Sequence, residues 1–515
     1  MYFERSHKTL WRLVSAGTLM TVLGLSGFTS AYGQQGNEWG GALRRNRNPA
    51  SVSQASKAPR DADDDDDDDD ILQVLEQDMA PPPEGAKVQP EGDGPPAGTD
   101  PLAAPEAAPP PAPWGLTDIF DDPCGKNWLK DNQWKLGGNI DQSFTGNFSS
   151  PRDRYNGPVT WTDRSNEYQL NQFWLYFERA TDTSKKDWDI GGRFDAFLGT
   201  NARFDTETGL ENNNFGFNSS HSNYGIALPQ FYIETAYKSL KIKWGHFISP
   251  VGYFTVDMTQ NFFNTLPYTF QYGEPFTHTG AIATWVVNEK WTLGGGVVRG
   301  WDNFDASGTG TNHMAAIGMV TRTWADKSSF YFFNIFSDES NSIGTNTSPR
   351  YLQTMVYSKP IDDKWTYVAQ SDLGIQTGTA NVNGTDNTSR WYGLNQYIYY
   401  VHNDKWTWGL NGEWFRDEEG FRVGGFLPVP PGSSTPGSPN FVNTSGLSTA
   451  RAGFAGNFFQ TTMGPKWQFH KNMFLRPNLR FDYFDGPSNS GGLLPFGDGN
   501  KHWQGILATD LAVVF

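Results

Sequence analysis

The sequence predicts an all-β protein, a transmembrane antiparallel β-barrel of about 16 strands, and three observations carry that prediction. Apolar and polar residues alternate with a period of two in one segment after another from Trp134 onward. The connections between these segments are alternately short and long. The last segment, "WQGILATDLAVVF", alternates to its end on Phe515. Composition agrees: 56 Gly, 20 Trp, 20 Tyr and 37 Phe in 515 residues suit strands and turns better than helices. Beyond the first 33 residues no run reaches the ~18 apolar residues of a membrane helix, so a membrane-spanning fold here is a barrel.

Residues 1–33 read as a signal peptide. Arg5, Lys8 and Arg12 precede the apolar run "LVSAGTLMTVLGLSGF", and "AYG" ending at Gly33 supplies small residues for cleavage. An uncleaved N-terminal anchor is the other reading, and in both the protein leaves the cytoplasm. Residues 34–130 read as a disordered, acidic and Pro-rich periplasmic extension. A basic stretch, "RRNRNPASVSQASKAPR", runs into nine aspartates within Asp61–Asp70, and a Pro/Ala/Gly tract follows. Such blocks cannot bury enough apolar surface to fold alone. Ile71, Leu72, Val74, Leu75 and Met79 fit one face of a short helix, but one heptad is weak evidence for association. The aspartate run lacks the ligand spacing and turn glycine of an EF-hand loop, so no metal site is assigned to it.

Charge excludes one class of partner. The formal net charge is −16, yet residues 131–515 hold 29 Lys and Arg against 35 Asp and Glu, a balance of −6. A mildly acidic body does not suit nucleic acid. The single cysteine, Cys124, can form no intrachain disulfide.

The barrel is assigned to residues 131–515. Strands are expected near 134–146, 167–180, 187–199, 226–238, 240–248, 277–288, 290–301, 312–324, 328–338, 350–359, 363–376, 390–402, 404–416, 454–468, 471–484 and 503–515. In "KDWDIGGRFDAFLG", Trp188, Ile190, Phe194 and Leu198 share one face and Asp189, Arg193 and Asp195 the other. That pattern fits an apolar outside and a polar lumen. On it, Lys135, Arg193, Asp195, Glu413, Arg476, Arg480 and Asp482 face the lumen. Pro465 and Pro477 fall inside two of the segments, where a closed barrel has no edge to spare.

One motif repeats. "VNEKWTLGGGVV" from Val287, "IDDKWTYVAQSD" from Ile361 and "HNDKWTWGLNGEWF" from His402 each place a turn and a lysine before a tryptophan. Trp188, Trp291, Trp365, Trp406, Trp408 and Trp414 are expected in the aromatic girdles where strands meet lipid headgroups. Leu511, Val513 and Phe515 are expected to form the C-terminal signal read by the barrel-assembly machinery.

"RSNEYQLNQFWLYFERA" (Arg164–Ala180), "KWGHFISPVGYFTV" (Lys243–Val256) and "EPFTHTGAIATW" (Glu274–Trp285) resemble the β-barrel porins termed OmpL-like. The likeness spans roughly residues 113–515 and takes in "PWGLTDIFDDPCGKNWLKDN". It implies an outer-membrane barrel with a pore and leaves the acidic extension unassigned. The expectation is therefore a porin that passes small hydrophilic solutes by passive diffusion, with no enzymatic activity and no cofactor. No H-E-x-x-H, G-x-S-x-G or P-loop motif occurs. Partners expected on this reading are outer-membrane lipid, the assembly machinery and the solutes. A homotrimer suits a barrel of this size, and the extension could reach the cell wall. A secreted Trp-rich glycan binder, or a barrel that mainly anchors the envelope, are the alternatives.

The third long connection, Ser249–Phe276, is the expected constriction. It is rich in aromatic residues, and Asp257 and Glu274 are its only charges. Folded inward, those carboxylates would face wall cations such as Arg193, Arg476 and Arg480. An outward loop with a small aromatic cluster is the competing reading. The acidic balance of the wall, with Glu178, Glu234, Asp372 and Glu413, suggests slight cation preference that loop placement could reverse.

Overall fold

A computed structural model describes residues 115–515 except 153, 212–223, 306–313, 341–346, 381–385, 425–452 and 490. The signal peptide, the aspartate run and the short helix after it lie outside the described residues. Sixteen staves follow in order: β1 Trp134–Asn147, β2 Glu167–Arg179, β3 Trp188–Gly199, β4 Gly225–Tyr237, β5 Leu240–Ile248, β6 Thr277–Asn288, β7 Trp291–Val298 and β8 Ala315–Thr323. Then come β9 Ser329–Ser340, β10 Thr347–Pro360, β11 Trp365–Ala380, β12 Asp386–Asn403, β13 Trp406–Asp417 and β14 Gly456–His470. The fifteenth stave, β15, is in two pieces, Met473–Leu475 and Asn478–Asp485, and β16 is Trp503–Val514. Among the described residues no helix is long and apolar enough to cross a membrane, which says nothing about crossing by strands.

Each stave pairs antiparallel with its neighbours in sequence, and β1 also pairs with β16, so the sheet closes. Closure matters because an open edge would leave unpaired amides facing lipid. At the seam Ile140 stands opposite Val513, and Gly138 and Phe515 exchange backbone hydrogen bonds of 2.7 and 2.9 Å.

The two prolines meet at one flaw in the ladder. Pairing of β14 with β15 runs from Asn457 to Met463 and resumes at Trp467, skipping Pro465 on one side and Pro477 on the other. Neither proline can donate to a ladder, so placing them opposite each other confines the loss to one spot. On its other side β15 keeps a bond beside the flaw, from Arg476 N–H to Asp510 O of β16 (3.1 Å).

The repeated turn also has a chemical explanation. Asn288 Oδ1 accepts from the backbone N–H groups of Lys290 and Trp291, Asp362 Oδ1 from those of Lys364 and Trp365, and Asn403 Oδ1 from those of Lys405 and Trp406. These bonds span 2.9 to 3.1 Å. An Asn or Asp three residues before the tryptophan thus caps the reversal and launches the next strand.

The outer face is apolar and uncovered. Phe177, Ile190, Phe194, Ile233, Trp244, Phe336, Leu479 and Leu507 are exposed along the wall. Trp188, Trp365 and Trp408 are exposed on the same face, and Trp291, Trp406 and Trp414 are half-buried there. Trp406 stacks on Trp467 with centroids 5.2 Å apart. An apolar surface this continuous is unstable in water and at ease in hydrocarbon.

The inner face departs from the expected polar lining over part of its circuit. On β9 to β13 the inward positions include Phe333, Ile335, Leu352, Val356, Val368, Trp391, Tyr397, Tyr399 and Phe415, all fully buried. Strands apolar on both faces, such as "FYFFNIF" in β9, must cover something on the inside as well as meet lipid on the outside.

Candidate pore constriction

What covers that wall is the third long loop, residues 249–276, which runs from the end of β5 to the start of β6. Its neck is closed by the bond from Ser249 N to Phe276 O (2.8 Å). Ser249 Oγ also shares a hydrogen bond with His278 Nε2 (3.0 Å), whose other nitrogen meets Gly300 O (2.8 Å). Two histidines flank the loop, and both are structural: His246 pairs with Glu207 and meets Thr279 Oγ1 (2.9 Å).

From the neck the chain crosses the interior. Val251, Phe254, Met258, Phe262, Phe263, Leu266 and Phe270 are buried and join the apolar inward side chains of β9 to β13 in one cluster. A loop standing in water would not bury this much aromatic surface. Such burial is what the aromatic composition of the segment encodes.

Polar wall residues fasten the loop through its main chain. Gln172 on β2 accepts from Met258 N (3.0 Å) and donates to Val256 O (2.7 Å). Gln370 on β11 accepts from Tyr253 N (3.1 Å). Glu413 on β13 accepts from Tyr268 N (2.7 Å), Thr269 N (2.6 Å) and Thr269 Oγ1 (2.7 Å). On β15, Arg476 donates to Met258 O (2.7 Å) and Asn261 O, and Arg480 donates to Leu266 O. Each arginine is also held by a buried carboxylate: Asp510 for Arg476, and Asp482 (2.8 Å) for Arg480. A buried main chain needs every N–H and C=O satisfied, and these side chains satisfy the loop's.

The two loop carboxylates occupy different settings. Asp257 caps a short turn by accepting from Thr259 N (3.0 Å), and it also accepts from Asn139 Nδ2 on β1 (3.1 Å). Glu274 accepts from Gln370 Nε2, which also donates to Asp372 Oδ1 (2.9 Å). Burial, and the Asp372 carboxyl beside it, push the Glu274 carboxyl well above the usual carboxylate range. Gly252 has φ +76, and a Cβ there would collide with the Glu274 carboxylate, so only glycine fits. Of the three wall cations named from the sequence, Arg476 and Arg480 meet the loop at its carbonyls. Arg193 binds Asp195 (2.7 Å) and Glu178 (3.4 Å) instead and lies over the Tyr176 ring at 4.7 Å. Asp195, Asp482 and Glu413 are buried and Lys135 is exposed.

Sequence reading did not single out Asn139, Gln172, Gln370 or Asn395, the amides that hold the loop. Their signal was available: an amide at an inward strand position can donate and accept at once, as a crossing peptide backbone requires. It also did not anticipate Arg422, whose Nε donates to Tyr272 O (2.6 Å) from beyond β13. Among the described residues no group of His, Cys, Asp and Glu is arranged to hold a metal ion.

Comparison with known proteins follows the same lines. The family model described as "Putative beta-barrel porin-2, OmpL-like" matches residues 133–515. No curated protein matches the sequence. Similar solved structures include the outer membrane channel DcaP of Acinetobacter baumannii, at 11% identity, 74% of this chain, 97% of that one and a TM-score of 0.45. The anion-selective porin from Comamonas acidovorans is 10% identical, with 74% and 99% covered and a TM-score of 0.48. OprB of Pseudomonas putida is 12% identical, with 75% and 95% covered and a TM-score of 0.47.

Proposed function

The chain belongs to the OmpL-like β-barrel porin family, and from that premise we propose that it carries small hydrophilic solutes across the outer membrane by passive diffusion. The observation that carries the reading is a closed barrel, apolar outside, in which an inward loop narrows the lumen. Water and solutes pass Lys135, Arg193, Lys241 and Lys243, which stand near the short-turn ends of β1, β3 and β5. No step forms or breaks a covalent bond; width and charge at the loop decide what passes. The rim of short turns faces the periplasm, so the residues ahead of β1 lie on that side, with residues 34–130 as a tether and 1–33 as the removed signal. Single-channel recording in a planar bilayer tests the proposal. Stepwise conductance supports it, and its absence from a barrel that still shows a heat-dependent shift on SDS gels refutes it.

One observation favours a second reading. The third loop is buried along nearly its whole length and shares one apolar cluster with the wall. A barrel plugged that firmly would serve as an envelope anchor, its tether contacting the cell wall. The same recording separates the two, because an anchor conducts nothing.

A further inference from the structure

The acidic balance of the barrel residues gives the wrong sign for the pore if every charge is weighted equally. Inward carboxylates are abundant, but those of the described residues near the short-turn ends of the strands are hidden, while Glu167, at the far end of β2, is half-buried and pairs with Arg154. Glu178 and Glu413 are 5% exposed and Asp141, Asp195, Asp482 and Asp510 are 1% or less. The inward charges that keep contact with water near the short-turn ends are cations. Lys135 is exposed, Lys243 is half-buried, and the side chains of Lys241 and Arg193 are 39% and 13% exposed.

These cations form one patch. Strand register sets Lys135 opposite Glu178, Glu178 opposite Arg193, and Lys243 opposite Glu234. Lys241 Nζ is 3.6 Å from Glu234, and Lys243 Nζ lies 4.7 Å over the Tyr232 ring. The carboxylates thus lie beneath the cations, closed off from a passing ion, while Lys135 and Lys241 keep the most contact with water. Arg476 and Arg480, on β15, are spent on the third loop and on Asp510 and Asp482.

We infer that this patch, at the short-turn ends of β1 to β5, is a basic mouth and that the pore prefers small anions, the class of inorganic anions and short carboxylates. The inference rests on the diffusion reading above. A low-dielectric wall focuses the field of exposed charges into the water beside them, so placement outweighs overall balance.

The test is the reversal potential of the full-length protein in a planar bilayer under a potassium chloride gradient. Chloride is expected to permeate several-fold better than potassium. Lys135→Gln, Lys241→Gln and Lys243→Gln combined should bring the ratio close to one while conductance persists, and Lys405→Gln, in a turn, should leave it unchanged. If the triple variant does not fold, Lys135→Gln and Lys241→Gln singly should each lower the ratio. Potassium preference, no preference, or a preference indifferent to these lysines overturns the inference and leaves the diffusion reading standing. No conductance from the unaltered protein overturns both.

Discussion

Two stretches of the same inner wall treat charge in opposite ways. On β11 to β15, Asp372, Glu413, Arg476 and Arg480 are buried, and the last three hold the main chain of the third loop. On β3 to β5, Arg193, Lys241 and Lys243 keep part of their surface in water and meet Glu178, Asp195, Glu234 and the Tyr232 ring instead. Equal charges in equal strand positions therefore do different work: one set holds the loop, the other keeps contact with water. The distinction is one of partners, because a charge committed to buried peptide groups no longer contributes a free field to the lumen.

The largest effect should come from cutting the structural set. Arg480→Met removes the cation from buried Asp482, leaving it only Tyr268 Oη and Gln504 Nε2 as donors, and takes one of two donors from Leu266 O. Breaking a buried pair from one side costs about 3–5 kcal/mol. The third loop is expected to become cleavable by protease and conductance to rise, while the heat-dependent gel shift persists. Unchanged proteolysis would mean that the loop is held by apolar packing alone.

Glu413→Ala should come next. It removes the acceptor for Tyr268 N, Thr269 N and Thr269 Oγ1, at about 1.5–3 kcal/mol for bonds to a charged group. Hydrogen exchange should accelerate at Tyr268 and Thr269 and stay slow at Met258, which Gln172 and Arg476 serve. Uniform acceleration along the loop would erase the local account.

A smaller effect is tied to pH. Glu274 holds its proton more tightly in the folded loop than at its ordinary value of 4.5. Between those two values the unfolded loop binds fewer protons than the folded one, so the loop's stability falls as pH rises from 4.5 toward the raised value. Protease resistance at residues 249–276 should decline across that window, and Glu274→Gln should flatten the decline. A resistance that increases with pH would contradict the assignment.

The smallest effect belongs to the outer face. Trp406→Ala removes the stack on Trp467, and aromatic pairs contribute about 0.5–1.5 kcal/mol beyond area burial. The gel-shift temperature should fall slightly and conductance should not move. A change in conductance would couple the two faces more tightly than their separate contacts suggest.

The staves were legible because alternation is local: a two-residue period needs no knowledge of what a strand packs against. Their bounds fall within a few residues of expectation, and the proline flaw in β15 leaves the count at sixteen. Aromatic residues such as Phe254, Phe262 and Phe270 in the third loop foretold that it packs on something. Its partners were not legible. Gln172 and Gln370 lie far from the loop in sequence, and only closure of the ring brings them to it. Nor could alternation tell that Glu413 would hold a peptide backbone while Lys241 stays wet, since both simply point inward.

The third loop also has a mechanical consequence. A single-layer cylinder resists stretching along its strands but flattens easily, since bending a sheet disturbs few bonds. Here a chord of chain leaves the wall between β5 and β6 and is bolted to β2, β11, β13 and β15. Squeezing the ring would strain those fastenings, so the loop acts as a cross-brace that keeps the barrel round under the lateral pressure of the bilayer.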